Sequence, residues 1–262
     1  MFTTVSFCQT KIGDLHFFFH PYRLTLSKRK TLIRNLLEDF THLFFPRFCP
    51  GCGSDAVQST QTLCLSCLMQ LPETGFFDLE ENPVKHIMTG RLSVERAASL
   101  YYCARVSKLH NMIHALKYGH RRDVGVFLGE MLGRQIVQSG WRKDIELLVP
   151  IPLHPKKKRK RGYNQTEMIA EGIANITSIP IAADAVVRTL YTQTQTHKGR
   201  SERITNMEDK FSVAKPEKLE GKHVLLIDDL ITTGATLEFC GHAILKVPGT
   251  RISIATVGRS IN

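Results

Sequence analysis

The chain has 262 residues, 42% hydrophobic and 23% charged, and its Lys and Arg outnumber Asp and Glu by 35 to 24, a formal net charge of +11. This composition excludes a disordered or fibrous chain, supports one large domain or a mid-sized domain plus a small module, and points to an anionic partner: nucleic acid, a phosphate-rich ligand or an acidic membrane. No apolar run reaches the roughly 18 residues of a membrane span; the longest near the start is Leu15 to Phe19. The first residues lack the regions of a secretory signal, so a cytoplasmic location is expected.

In chain order, residues 1–30 carry no interpretable motif, and Thr31 to Leu43 reads as a helix-like segment. Cys49, Cys52, Cys64 and Cys67 then form C-x2-C-x11-C-x2-C. Each C-x-x-C turn can aim two sulfurs at one point, and four thiolates satisfy tetrahedral Zn²⁺ with no position left for water, so the metal is expected to be structural. Two disulfides and a redox pair are the competing readings. Cys8, Cys103 and Cys240 have no obvious partners and read as small buried hydrophobes or incidental thiols.

From about Ala97 the pattern changes to short apolar runs alternating with amphipathic stretches, which predicts strands and helices around a mostly parallel sheet. The expected strands are Ala98 to Tyr102, Glu146 to Ile151, Val186 to Leu190, His223 to Ile227 and Ile252 to Val257. Leu109, Met112, Ile113 and Leu116 recur at helical spacing, as do Leu237, Cys240, Gly241, Ile244 and Leu245. A boundary is expected between about Leu71 and Val94, giving a helix plus four-cysteine module over 31–85 and an α/β domain over 94–262.

The segment Val224 to Thr236 carries the most chemistry. An apolar strand delivers Asp228 and Asp229 at its carboxyl end, where open α/β sheets bind ligands, and a hydroxyl-rich loop with Gly234 then opens a helix. Backbone N–H groups, Thr hydroxyls and the helix dipole suit a phosphate. The carboxylates instead suit ribose hydroxyls or an outer-shell cation. A phosphorylated sugar satisfies both halves.

Ile227 to Thr236 resembles the phosphoribosyl pyrophosphate (PRPP) signature of type I phosphoribosyltransferases. The resemblance implies that Asp228 and Asp229 face the ribose hydroxyls, that Thr232, Thr233, Gly234, Ala235 and Thr236 cradle the 5-phosphate, and that Mg²⁺ arrives mainly with the pyrophosphate. Val149 to Pro155, Arg161 to Gln165, Gln195-Thr196, Arg200, Arg203 and Asn206 further resemble the ComF family, over about Thr31 to Arg259. The fold so implied is type I phosphoribosyltransferase-like: a mostly parallel sheet flanked by helices, with a small N-terminal zinc ribbon built on the four cysteines.

By the same resemblance, Leu153 and His154 would lie in a pyrophosphate loop over Ile151 to Pro155, the alternative being an ordinary proline-rich strand exit. Gln195 to Phe211 would form a hood closing over PRPP, with Arg200 and Arg203 neutralising the leaving pyrophosphate. Lys156, Lys157, Lys158, Arg159, Lys160 and Arg161 could meet pyrophosphate, a DNA backbone or only solvent. Tyr163 could stack on a base or simply sit at a helix start. Lys117, Tyr118, Arg121 and Arg122 read as solvent-facing. Three functions follow as expectations: a PRPP-binding protein that handles single-stranded DNA during natural transformation, alongside other competence proteins such as a DNA-uptake helicase; an active transferase with a nitrogen acceptor; or a PRPP-sensing regulator.

Overall fold

The computed structural model describes residues 48–57, 61–188 and 211–261. The helix expected at 31–43, Arg200, Arg203 and nearly all of the hood segment lie outside these residues. Strands β1 (Ala97–Ala104), β2 (Leu147–Pro150), β5 (His223–Ile231) and β6 (Arg251–Ile261) form one sheet in the order β1-β6-β5-β2. All three pairings are parallel. Val224 to Ile227 are wholly buried, which explains why this strand reads as a continuous apolar run rather than an alternating one.

Strand β3 (Val186–Arg188) pairs antiparallel with β4 (Phe211–Val213) in a separate ribbon. Phe211, expected to end the hood, is instead the buried first residue of β4. The central strand also runs four residues past Ile227, because β6 continues beside it and pairs Asp228 with Thr256 and Leu230 with Gly258.

The helices are α1 (Leu65–Leu68), α2 (Pro83–Met88), α3 (Lys108–Tyr118), α4 (Arg122–Gln138), α5 (Pro155–Arg161), α6 (Gln165–Thr177) and α7 (Ala235–Leu245). Helices α3, α4 and α6 pack as a layer, whereas α7 packs against β4, β5 and β6. Helices α4 and α6 meet backbone to backbone. A Cβ added at Gly129 would lie 2.1 Å from the Ile169 carbonyl oxygen, and one at Gly172 would lie 2.0 Å from that of Val126. Glycine is required by this approach.

The stretch between Leu71 and Val94 is stitched to β1. Tyr102 N–H donates to Pro72 O at 2.9 Å and Thr74 N–H to Leu100 O at 3.0 Å. Asn82 donates through Nδ2 to Ala97 O at 2.8 Å while its Oδ1 caps α2 at Val84 N. Trp141 Nε1 donates to Phe77 O at 3.1 Å. Buried amide and indole groups are thereby satisfied, and α2 is held where Ile87 and Met88 lie against Gly234. Among the described residues no helix is long and apolar enough to cross a membrane.

Candidate phosphoribosyl site

Asp228 and residues 230–237 line a shallow pocket of about 60 Å³ at the carboxyl end of β5. Gly234 is the N-cap of α7 with φ +76°, a left-handed conformation that a side chain would strain. A Cβ there would also lie 2.2 Å from Met88 Cε and 2.8 Å from Ile87 Cγ2. The loop therefore turns tightly over α2. Just beyond α2, Arg91 donates to the Thr233 carbonyl at 2.5 Å and pairs with Glu238 in the first turn of α7. With its carbonyl tied back, the loop is braced from behind by Arg91. Sequence reading passed over this residue because 142 positions separate it from Thr233.

The two carboxylates have different surroundings. Asp229 is 4% exposed; its Oδ1 lies 2.8 Å from Lys117 Nζ, and its buried Oδ2 has no partner among the described residues. Lys117, in the last turn of α3, is thus an ion-pair partner at the site rather than the solvent-facing charge expected from sequence. Asp228 is partly exposed at the pocket, and its Oδ1 accepts the Asp229 N–H at 2.8 Å. Burial, then the neighbouring Asp229 charge, push the Asp228 carboxyl up to about 7. A ligand with hydroxyl donors in the pocket would favour the ionised form of Asp228, whereas Asp229 is absent from the pocket lining and faces Lys117 of α3.

The expected pyrophosphate loop follows β2. Ile151 N–H donates to Ile227 O at 2.9 Å, which holds the start of this segment beside β5. The Ile151 carbonyl accepts from Asn164 Nδ2 at 3.0 Å and from Thr166 Oγ1 at 2.7 Å, so α6 anchors the loop from the other side. His154 caps α5, its Nδ1 accepting from Lys156 N–H at 3.2 Å. Lys156 to Lys160 are exposed on α5. Lys158 pairs with Glu167 at 2.8 Å and Arg161 donates to Gln165. Among the described residues Lys156, Lys157, Arg159 and Lys160 have no ion-pair partner.

Two expected contacts do not hold. Tyr163 cannot stack on a base: it is 4% exposed, its hydroxyl donates to Leu116 O, and the Arg122 guanidinium covers its ring at 4.8 Å from the centroid. Asn164 beside it caps α6, so this stretch is a helix start. Ile227 offers no ligand contact either, since its side chain is fully buried and Ile151 occupies its carbonyl.

The four sulfurs of Cys49, Cys52, Cys64 and Cys67 lie within 4.8 Å of one another, with Cys52 and Cys64 Sγ 3.8 Å apart. A tetrahedron with Zn–S near 2.3 Å has sulfurs about 3.8 Å apart, so the cluster could hold zinc. Burial raises the Cys49 thiol, but the N–H groups of Cys64, Cys52 and Gly51 outweigh it and bring it down to about 6, while burial and the neighbouring cysteines push the Cys67 thiol up. Asn111 of α3 donates to Gly51 O at 2.9 Å and Arg121 donates to Phe48 O at 3.2 Å. The helix that carries Lys117 to Asp229 therefore also carries the four-cysteine knuckle.

A four-stranded parallel sheet flanked by helices, with an acidic pair and a glycine-turned loop at the end of its central strand, defines a type I phosphoribosyltransferase-like fold. The domain model described as "Phosphoribosyl transferase domain" matches residues 166–260. Along most of its length the chain is similar to proteins of the ComF kind. Competence protein F of Haemophilus influenzae (strain ATCC 51907 / DSM 11121 / KW20 / Rd) is 29% identical over 220 residues, which is 82% of this chain and 86% of that protein. Competence protein ComFC of Bacillus subtilis (strain 168) is 34% identical over 115 residues, 44% of this chain and 45% of that protein. DNA utilization protein YhgH of Escherichia coli (strain K12) is 23% identical over 216 residues, 81% of this chain and 84% of that protein. Among solved structures, the glutamine PRPP amidotransferase from B. subtilis complexed with ADP and GMP is 17% identical with a TM-score of 0.41, covering 56% of this chain and 30% of that one.

Proposed function

We propose that this protein binds PRPP with Mg²⁺ at the β5–α7 loop and handles single-stranded DNA on its basic surface during natural transformation, in the cytoplasm and alongside other competence proteins. The observation that carries the reading is the partly exposed Asp228 carboxyl sharing one pocket with the Thr232–Thr236 loop, which turns at Gly234 into the N-terminus of α7, an arrangement suited to an anion beside hydroxyl groups. In this reading Asp228 and Asp229 accept the ribose hydroxyls, and Thr232, Thr233, Gly234, Ala235 and Thr236 hold the 5-phosphate. Leu153 and His154 would receive the pyrophosphate, whose charge Mg²⁺ would screen. Zinc at the four cysteines is structural, because a closed shell leaves no position for chemistry.

Calorimetric titration of the zinc-loaded protein with PRPP and Mg²⁺ tests this. Saturable binding by the wild type, lost in Asp228→Asn/Asp229→Asn, is expected; binding that survives in the double variant would overturn the site. Removing Arg91 frees the Thr233 carbonyl and the first turn of α7, so Arg91→Ala should weaken PRPP about tenfold, the loss of roughly one charge-assisted hydrogen bond. An unchanged Kd in the same titration would remove Arg91 from this role.

One observation favours an active transferase as a second reading. The Asp228 carboxyl opens on the pocket and is a candidate to take the acceptor's proton. In that reaction an acceptor nitrogen forms a bond to C1 of PRPP, the C1–O bond to pyrophosphate breaks with its electrons leaving on oxygen, and the acceptor's proton passes to Asp228. PRPP-dependent pyrophosphate release with a nucleobase or amine, absent in Asp228→Asn, would establish it.

A further inference from the structure

The basic helix α5 lacks the aromatic partner expected for it, because Tyr163 is buried, yet another tyrosine stands where that partner is needed. Tyr118, the last residue of α3, is 65% exposed. Arg161, the last residue of α5, places its guanidinium 5.5 Å from the Tyr118 ring centroid. The His114 ring, one helical turn back, lies 4.8 Å away and tilted by 47°. These two flank the ring without covering it. Arg161 is held by Gln165, and Arg122 reaches from the start of α4 to Gly162 O at 3.4 Å, so the ends of α3 and α5 are tied together.

The geometry points to Tyr118 as the stacking platform for an unpaired base of single-stranded DNA, with the phosphates of the same strand running along α5. Lys156, Lys157, Arg159 and Lys160 project from this helix, about 10 Å long, without ion-pair partners among the described residues. An exposed ring beside a cation is a sequence-tolerant surface for a base, whereas a duplex keeps its base faces stacked. Charge complementarity selects a polyanion, and the ring selects one with free bases. The adjacent residue, Lys117, reaches inward to Asp229, so a strand on this platform lies next to the helix end that supports the phosphoribosyl site. The platform deepens the DNA reading proposed above and rests on it.

Fluorescence anisotropy with a labelled oligo-dT and an abasic oligophosphate of equal length tests it across a salt series. Wild type is expected to bind oligo-dT, and Tyr118→Ala should weaken that binding about tenfold with an unchanged salt slope. Tyr118→Phe should retain it. The abasic strand should bind wild type as weakly as oligo-dT binds Tyr118→Ala. Neutralising the four partnerless α5 cations to Gln should flatten the salt slope in every case. Equal affinity of wild type and Tyr118→Ala for oligo-dT would overturn the platform and leave the DNA reading standing. Failure of wild type to bind oligo-dT at low salt would overturn both.

Discussion

Lys117→Met should lower the melting temperature by roughly 8 °C, an effect of about 2–3 kcal/mol in a chain of this size. Asp229 is 4% exposed and one of its oxygens already lacks a partner. Without the ammonium 2.8 Å away, the carboxylate would be buried and uncompensated. Methionine fills similar space, so the loss is electrostatic rather than a cavity. Breaking a buried pair from one side costs more than removing both charges. Lys117→Met/Asp229→Asn should therefore recover most of the loss, with a coupling of about 1–3 kcal/mol in the double-mutant cycle. Thermal unfolding of the four proteins measures this directly. Additive effects would mean that water, not Lys117, balances Asp229. On the proposed reading, PRPP binding should fall with the single variant too, because that ammonium holds the Asp229 carboxylate in position.

What was legible in the sequence was local. The four cysteines announce their geometry through spacing, and the apolar run to Ile227, the acidic pair and the Thr-Thr-Gly loop announce a strand, a ligand and a helix start within fourteen residues. What was not legible depends on contacts between distant segments. Lys117 and Tyr118 look alike as a polar end to an amphipathic helix, yet the first turns in to Asp229, 112 positions away, while the second faces solvent. Tyr163 follows six cations and so reads as a surface aromatic, but its hydroxyl reaches the Leu116 carbonyl and α4 closes over it. Arg91 carries no local signal at all. In each case the residue type was visible and the side of the chain it faces was not, because helix packing rather than periodicity decides it. The glycines of α4 illustrate the same limit: in sequence they weaken a helix, whereas in the fold they permit the contact with α6 that makes it.

Asp228→Asn should act in the opposite direction on stability, raising the melting temperature by about 5 °C at pH 8 while leaving it unchanged at pH 4. In the unfolded chain this carboxyl loses its proton near 4; in the native protein burial and Asp229 hold the proton up to about 7. The native state thus binds more protons than the unfolded state between those values, so its stability is undiminished below pH 4 and falls as pH rises toward 7. Three pKa units correspond to about 4 kcal/mol, and water at the pocket mouth reduces this to about 2. Asparagine carries no such penalty. It also accepts hydrogen bonds less strongly than a carboxylate, so the stabilised variant should bind PRPP more weakly. Ribose hydroxyls would favour the ionised form of Asp228, so PRPP binding by wild type should release protons near pH 6.5, seen as a dependence of binding enthalpy on the ionisation heat of the buffer. Asp228→Asn should show no such release. An equal release from both proteins would locate the titration elsewhere, whereas its loss would mean that the cost of keeping this carboxyl buried is relieved by the ligand it serves.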